Sequence, residues 1–352
     1  MPYVTNVTPF QALGIEHRFY NGHPYDCLFV KATFRICHDG QLRPLVRQPP
    51  FVLNDLHEGD EDTSALQYAS EIIPFKPGTD VIVTGNAGSP GGEPRAQWLA
   101  QLQVGPLNKI VKLTGPRYWR HKRLDRWELT GIEPCGAVRL SYALAYGGAS
   151  DQQTDEQDAC WDNPFGLGFQ GRNKIDKSRP YAAPRIVSAD AGDPKWGGRM
   201  RTVGLSPVDG RQMDRLQFAG TYDEKWQREV SPDIPLDMRM EYWNVVPPDQ
   251  VAKPYLAGGE TVRTAGLFST PDGRQAFVLP RYQVRAVPIR GETKHEGSAM
   301  ELDTVLIDLD KRHVVLRWAT LYSQTEGYDE YELIALPDKA AQDAGASGNN
   351  KS

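Results

Sequence analysis

Hydrophobic and polar residues alternate with a period of two wherever the chain shows a regular pattern, and this period predicts strands. Residues 27–37 place apolar side chains on one face and Lys31, Thr33 and Arg35 on the other, which predicts a half-buried strand. The same analysis predicts strands at residues 80–84, 138–146 and 331–336, and a hairpin formed by residues 304–309 and 313–322.

One segment departs from this pattern. Thr221 and Glu224 have the spacing of a capping box, which predicts a short helix that runs to Val230 and ends before Pro232. The 27 prolines and 33 glycines are spread along the chain, as is typical of short elements joined by turns. We therefore expect a mainly β protein with β-sandwich-like sheets and a few short helices.

The pattern predicts one domain over residues 1–336, and an arrangement of two β-rich lobes, residues 1–150 and 190–336, stays open. The polar residues 151–189, rich in proline and glycine, would then form an irregular connection between the lobes. Residues 337–352 are small and polar, which predicts a disordered tail.

Composition limits the functional classes. The 352 residues are 39% hydrophobic and 24% charged, as in ordinary globular proteins, and the formal net charge of −5 does not favour nucleic acid as the main partner. The first residues lack a signal-peptide pattern, and no apolar run reaches the roughly 18 residues of a membrane span. Four scattered cysteines fit a reducing compartment. We expect a cytoplasmic protein with no membrane or nucleic-acid partner.

No motif identifies a catalytic or cofactor site. Residues 166–171 match G-x-G-x-x-G, but no strand pattern precedes them and no helix pattern follows, which favours a structural loop. The seven histidines show no metal-binding spacing, and the acidic residues 55–62 lack the ligand spacing of a calcium loop. We therefore expect no enzymatic activity, no cofactor and no metal. A carbohydrate-active hydrolase on a β-sandwich scaffold stays open, because paired carboxylates can lie anywhere in a chain. An envelope-binding module on the same kind of scaffold also stays open.

Cationic and aromatic residues interleave between positions 117 and 127, which predicts a hairpin tip. Its candidate partner-binding residues are Arg117, Trp119, Arg123 and Trp127, which could receive an acidic segment of a partner protein. A solvated hairpin whose tryptophans pack inward is the open alternative.

Two further pairs complete the candidate partner-binding residues. Tyr222 and Trp226 lie four residues apart on the predicted helix, where packing onto a sheet is the alternative to partner contact. Asn163 and Phe165 belong to the segment NPFGLGF, which is rich in turn-forming residues.

Short motifs in a fixed order carry a resemblance to a known family. They are FKPGTDV (75–81), GPRYW (115–119), LSYALAYGG (140–148), NPFGLGF (163–169), AGTYDEKW (219–226), PPDQ (247–250), YL (255–256) and GGE (258–260). From about residue 24 to residue 336 the chain resembles the bacterial domain-of-unknown-function family 2169. Leu167 stands where relatives often carry arginine, and Ala143 where an acidic residue often follows the tyrosine. Both departures could alter a local contact and so the choice of partner, but they do not affect the family resemblance.

The resemblance implies a cytoplasmic adaptor or chaperone without catalytic activity. Such a protein would bind a type VI secretion effector, often one joined to a PAAR-type spike tip, and keep it soluble. It would then help to load the effector onto the trimeric VgrG spike and stay behind when the apparatus fires. The resemblance implies no binding residue that can be transferred position by position.

Overall fold

The computed structural model of the protein describes residues 2–19, 22–124, 126–149, 158–171 and 175–338. Within these ranges, 26 strands form seven sheets and are numbered β1–β26 in chain order, with two short α-helices between them. The prediction of a mainly β fold with a few short helices is confirmed. None of the helices in the described ranges has the length and apolar character needed to cross a membrane.

The largest sheet has seven strands. They are β2 (Gln11–Arg18), β3 (Pro24–Ile36), β4 (Leu42–Pro44), β7 (Thr79–Thr84), β18 (Val251–Ala252), β24 (Glu301–Asp308) and β25 (His313–Ser323). Their order is β18–β7–β24–β25–β3–β2, with β4 also paired to β3, and all neighbours are antiparallel except β7 and β24. The strands predicted at residues 27–37 and 80–84 are confirmed as β3 and β7, and the predicted hairpin is confirmed as β24 and β25.

This sheet is covered on both faces. Lys31 and Thr33 of β3 are only 3% and 2% exposed, so the prediction of a half-buried strand is wrong for them. The second face carries apolar clusters that include Phe51 and Ile72, from the segment that leads to β7. Lys31 Nζ donates to Glu71 Oε2 at 2.6 Å within this cover. A two-residue period alone cannot show that a distant segment will cover the polar face.

Two five-stranded sheets complete the main core. One contains β1 (Tyr3–Asn6), β21 (Tyr282–Arg290), β22 (Thr293–Lys294), β23 (Ser298–Ala299) and β26 (Glu330–Pro337). The other contains β9 (Gln97–Val104), β10 (Leu107–Thr114), β17 (Ile186–Ser188), β19 (Thr261–Ala265) and β20 (Arg274–Val278). One hydrophobic cluster contains side chains from all three large sheets, among them Phe34, Leu102 and Leu333. The segments considered as lobes therefore share a core, and the strand predicted at residues 331–336 is confirmed as β26.

β1 and β26 run parallel, from Tyr3 opposite Glu330 to Asn6 opposite Leu333. The first and last strands of the described chain are thus hydrogen-bonded neighbours. The predicted tail beyond residue 338 lies outside the described residues.

Smaller elements surround the large sheets. They are the three-stranded sheet of β11 (Tyr118–Lys122), β12 (Arg126–Leu129) and β16 (Tyr181–Ala182), and the pairs β5 (Leu56–His57) with β6 (Leu66–Tyr68), β8 (Asn86–Gly88) with β13 (Ala137–Arg139), and β14 (Tyr146–Gly147) with β15 (Leu167–Gly168). The α-helices are α1 (Met213–Leu216) and α2 (Glu224–Glu229), and short 3-10 turns occur at Pro90–Gly92, Tyr142–Leu144, Met240–Trp243, Pro248–Gln250 and Gln324–Glu326.

The strand predicted over residues 138–146 is confirmed only at its ends, in β13 and β14, and is wrong in between. β13 ends at Arg139, and the Ser141 hydroxyl then accepts a hydrogen bond from the Ala143 amide at 3.1 Å, which caps a 3-10 turn. Asn163 fixes this turn from outside, because its Nδ2 donates to the carbonyl oxygens of Tyr142 at 2.8 Å and Tyr146 at 3.2 Å.

The helix predicted after Thr221 is confirmed as α2, but its predicted cap is wrong. Asp223 is the N-cap residue, and its Oδ1 accepts the Trp226 amide at 2.8 Å. Thr221 is engaged elsewhere, because its amide and hydroxyl both donate to the carboxylate of Asp237. Either residue type can cap a helix, so only this tertiary contact distinguishes them.

The motif FKPGTDV forms a buried ion pair. Asp80 is fully buried and lies 2.8 Å from Lys76 Nζ. Its carboxylate also accepts hydrogen bonds from Asn244 Nδ2 at 2.8 Å and from the Val245 amide at 2.9 Å. The motif therefore attaches residues 244–245 to the largest sheet, so its role is structural.

The motifs LSYALAYGG and NPFGLGF fold onto each other, and we call residues 145–148 and 163–169 the glycine clasp. The Gly148 amide donates to the Asn163 carbonyl at 2.8 Å, and β14 pairs in parallel with β15. Gly147 has a φ of 151°, and a Cβ atom there would lie 2.0 Å from the Asn163 carbonyl oxygen. Only glycine permits this approach of two backbones.

Candidate functional site

The hairpin predicted between residues 117 and 127 is confirmed: β11 and β12 are antiparallel, and β16 extends them to a three-stranded sheet that we call the hairpin sheet. Because side chains alternate along a strand, Trp119 and His121 share one face of β11, while Arg120 and Lys122 share the other. His121 lies opposite Trp127 of β12. The hairpin sheet therefore has an aromatic face and a charged face.

The aromatic face is closely packed. Trp127 stacks on Trp196 with ring centroids 3.7 Å apart and planes 11° apart. Trp119 and Tyr181 contact the Trp196 ring edge to face, at 5.6 and 5.4 Å. Aromatic pairs of this kind add stability beyond the burial of their area, so this face gives the hairpin sheet a firm support.

The charged face carries three basic residues, Arg120, Lys122 and Arg126, and one acidic residue, Glu128, opposite Arg120; Arg123 follows in the turn. Arg120, Arg123 and Arg126 are exposed and form no ion pair with any residue of the described ranges, whereas Lys122 lies 3.6 Å from Glu128. Leu124, in the turn between β11 and β12, is 91% exposed. A positive surface with an apolar tip on an acidic protein suits an acidic partner surface.

Three of the predicted partner-binding residues are buried. Trp119 and Asn163 are 2% and 0% exposed, and Arg117 is buried with its Nη1 2.8 Å from Asp193 Oδ1. These side chains build the framework around the hairpin sheet and the glycine clasp. Of the four residues predicted on the hairpin, Arg123 and Trp127 therefore remain candidates for direct contact with a partner.

The other predicted residues are more accessible. Phe165 is half-buried beneath the guanidinium of Arg211, which lies 4.8 Å from its ring centroid. Tyr222 is 56% exposed and contacts Trp226 edge to face at 4.7 Å. α2 has no buried residue, and Trp226 Nε1 donates to the Asp233 carbonyl, so this pair packs on its own surface segment rather than in a sheet core.

A second feature, which the sequence does not reveal, is a cleft of about 380 Å³. We call it the polar cleft, and its lining residues are Lys109, Asp162, Arg201, Thr202, Val203, Asp214, Pro247, Pro248 and Asp249. Lys109 Nζ donates to Asp249 Oδ1 at 2.7 Å and to Gln250 Oε1 at 2.8 Å. Burial lowers the pKa of Lys109, against the opposing effect of Asp249, and burial raises the pKa of Asp214. These residues come from separate elements, so no local motif could have identified them.

The glycine clasp positions one wall of this cleft. Gln212, which precedes α1, is buried, and its Nε2 donates to Asn163 Oδ1 at 3.4 Å and to the Asp162 carbonyl at 3.3 Å. The Met213 amide donates to the Trp161 carbonyl at 2.9 Å. Asn163 therefore helps to fix the position of α1 and, with it, the position of Asp214 in the cleft.

The acidic residues 55–62 are attached to the protein by a buried charge cluster. His57 Nε2 lies 2.9 Å from Asp209 Oδ2, and Arg211 Nε lies 2.8 Å from Asp209 Oδ1. Arg211 also donates to the carbonyl oxygens of Glu61 and Asp62. Burial would raise the pKa of Asp209, but the hydrogen bonds from Arg211 and His57 outweigh it and lower the pKa from 3.8 to about 2.

We expect Asp209→Asn to lose about 1–2 kcal/mol of stability at pH 7, after allowance for solvent screening. The folded-state pKa is below the unfolded value, so the contribution of Asp209 is complete above about pH 4 and is lost as the pH falls toward 2. Urea unfolding at pH 7, 5, 4 and 3 would show the gap between wild type and variant closing on acidification. Glu292→Gln, an exposed carboxylate, is the control, and a gap independent of pH would contradict this account.

Within the described ranges, no three histidine, cysteine, aspartate or glutamate side chains are arranged to hold a metal ion. Among the acidic residues 55–62, the Glu58 carboxylate accepts hydrogen bonds from Arg139 and Ser141.

The model of a family described as "Uncharacterized protein conserved in bacteria (DUF2169)" matches residues 21–319. No curated protein and no solved structure matches the chain.

Proposed function

The chain belongs to this bacterial family, DUF2169, and from that premise we propose that it is an adaptor that binds a type VI secretion effector. In this role it keeps the effector, often one linked to a PAAR-type tip, soluble in the cytoplasm and helps to load it onto the VgrG spike. It acts by binding and carries out no catalysis.

The observation that supports this proposal is the charged face of the hairpin sheet. Arg120, Arg123 and Arg126 are exposed and form no ion pair within the described ranges, and the exposed Leu124 follows Arg123 in the turn. The stack of Trp127 on Trp196 keeps this surface in place before a partner arrives. Preorganised arginine and aromatic side chains are the residues that contribute most to protein interfaces.

The proposal predicts that a PAAR-linked effector is encoded near the gene for this protein, and coexpression with that effector tests it. We expect a stable one-to-one complex in size-exclusion chromatography and a larger soluble yield of the effector than when it is expressed alone. A ternary complex with purified VgrG is the next expected step. An effector that is equally soluble alone and does not co-elute with this protein would refute the proposal.

Charge reversal locates the surface. We expect the triple variant Arg120→Glu, Arg123→Glu and Arg126→Glu to weaken effector binding by about 10- to 100-fold, mainly through slower association. Its matched control reverses three exposed arginines elsewhere, Arg47, Arg95 and Arg263. Biolayer interferometry at 50 and 300 mM salt would compare them. Equal affinities for the two triple variants would place the effector elsewhere.

One observation favours a second candidate, a carbohydrate-active hydrolase. The polar cleft brings together Asp162, Asp214 and Asp249, and burial raises the pKa of Asp214, as a general acid requires. Turnover of glycan substrates by purified protein, abolished in Asp214→Asn, would establish this function in place of the adaptor.

A further inference from the structure

The polar cleft has an apolar neighbour. A second cleft, of about 390 Å³, shares Asp214 and Pro248 with it, and we call the two together the Asp214 groove. The second cleft is lined largely by apolar side chains, including Leu107, Phe218 and Val246. The groove is therefore polar in one half and mainly apolar in the other, where Glu241, Asn244 and Lys253 also contribute to the lining.

The polar half has one more carboxylate than cation, since Asp162, Asp214 and Asp249 line it together with Lys109 and Arg201. Asp249 is neutralised, because Lys109 Nζ lies 2.7 Å from Oδ1 and Arg201 Nη2 lies 3.9 Å from Oδ2. The carboxylates of Asp214 and Asp162 accept no hydrogen bond and form no ion pair with residues of the described part of the chain. Lys109 and Arg201 act on Asp214 through electrostatic attraction without a direct hydrogen bond. A cation that entered this half would form that direct ion pair, and charge-assisted hydrogen bonds of this kind are strong.

We propose that the Asp214 groove binds an extended segment of a partner protein, in which a lysine or arginine pairs with Asp214 and a neighbouring apolar side chain occupies the second cleft. A partner segment that carries a basic side chain near an apolar side chain matches the two halves of the groove. A uniformly polar ligand such as a sugar would leave the apolar half unfilled. This inference rests on the proposed function, since it presupposes a polypeptide partner.

The test uses an array of synthetic ten-residue peptides and the purified full-length protein. The peptides combine Lys, Arg, Glu or Ser at one position with Leu, Phe or Ser at the next two. We expect wild type to prefer peptides that have a basic residue beside Leu or Phe, and Asp214→Asn to bind these at least about tenfold more weakly. Asp272→Asn, in the turn between β19 and β20, is the control and should retain wild-type binding.

A thermal unfolding curve for each variant shows whether Asp214→Asn has kept its fold. Binding without preference for basic residues, or a preference unchanged in a folded Asp214→Asn, would overturn the proposal. So would glycan turnover that depends on Asp214, because the groove would then be an active site.

The same variants separate this inference from the proposed function. In one outcome the effector complex forms and depends on the hairpin arginines, while Asp214→Asn changes neither effector binding nor peptide selectivity. The groove assignment then fails and the adaptor function stands. If wild type selects basic-apolar peptides through Asp214 but forms no complex with the effector, the groove is a peptide site and the type VI role fails.

Discussion

Replacing Asp80 with asparagine is expected to lower the free energy of unfolding by about 3–5 kcal/mol, because it leaves the ammonium group of Lys76 buried without a counter-charge. Lys76 and Asp80 are both buried, and their charged atoms lie 2.8 Å apart. Such a loss is a large part of the roughly 5–15 kcal/mol that stabilises a typical domain. Urea unfolding followed by tryptophan fluorescence measures it.

A double variant separates charge from hydrogen bonding. In Lys76→Met with Asp80→Asn neither buried charge remains, while an oxygen stays at position 80 for the Val245 amide. We expect the double variant to be more stable than Asp80→Asn alone, as happens when a buried ion pair is replaced as a unit. Simple addition of the two single effects would show that the residues do not act as a pair.

The deficit of Asp80→Asn should also depend on pH. Burial lowers the pKa of Lys76, and Asp80 opposes that shift. Without Asp80 the folded-state pKa of Lys76 falls further below the unfolded value of about 10.4. At a pH between these two pKa values, the unfolded chain therefore binds more protons than the folded chain. Stability then rises with pH, and the deficit relative to wild type becomes smaller.

Replacing Gly147 with alanine is expected to cost at least about 3 kcal/mol, from backbone strain together with overpacking. The added Cβ would lie 2.0 Å from the Asn163 carbonyl oxygen, and a backbone atom cannot move aside as a flexible side chain can. The change would open the glycine clasp. Because Asn163 fixes Gln212 and through it α1, we also expect Asp214 to be displaced.

Thermal unfolding and the peptide array together check the Gly147 variant. Gly192→Ala is its control, since a Cβ at Gly192 meets no atom within 4 Å. A Gly147 variant as stable as wild type would show that the two motifs tolerate separation. A folded variant that loses peptide selectivity would show that the clasp serves the groove.

The sequence predicts those elements that a short stretch of residues is enough to indicate. The pattern of apolar and polar residues identified β3, β7, β24, β25 and β26, because each strand packs apolar side chains into the core whichever strand lies beside it. The interleaved arginines and tryptophans identified the hairpin, since a turn and two short strands need no distant partner. The family assignment came from motif order, which the match to residues 21–319 confirms.

What the sequence could not predict depends on contacts between distant segments. Lys31 is polar yet buried, because Glu71 and Pro50 come to meet its ammonium group. Trp196 belongs to an irregular segment, and only the folded chain shows that Trp127 stacks on it. Asp214 is one of many carboxylates until α1 and β10 bring it to the same cleft as Lys109.

The pairing of β1 with β26 has a consequence for synthesis on the ribosome. β1 emerges from the ribosome well before β26, because Thr5 and its hydrogen-bond partner Glu330 are 325 residues apart. Until translation reaches β26, the nascent chain carries a strand with no neighbour on that side, and unpaired edges invite association with other chains. A ribosome that stalls before residue 330 would thus hold an aggregation-prone product. Only the synthesis of β26, the last described strand, gives β1 its hydrogen-bonded neighbour.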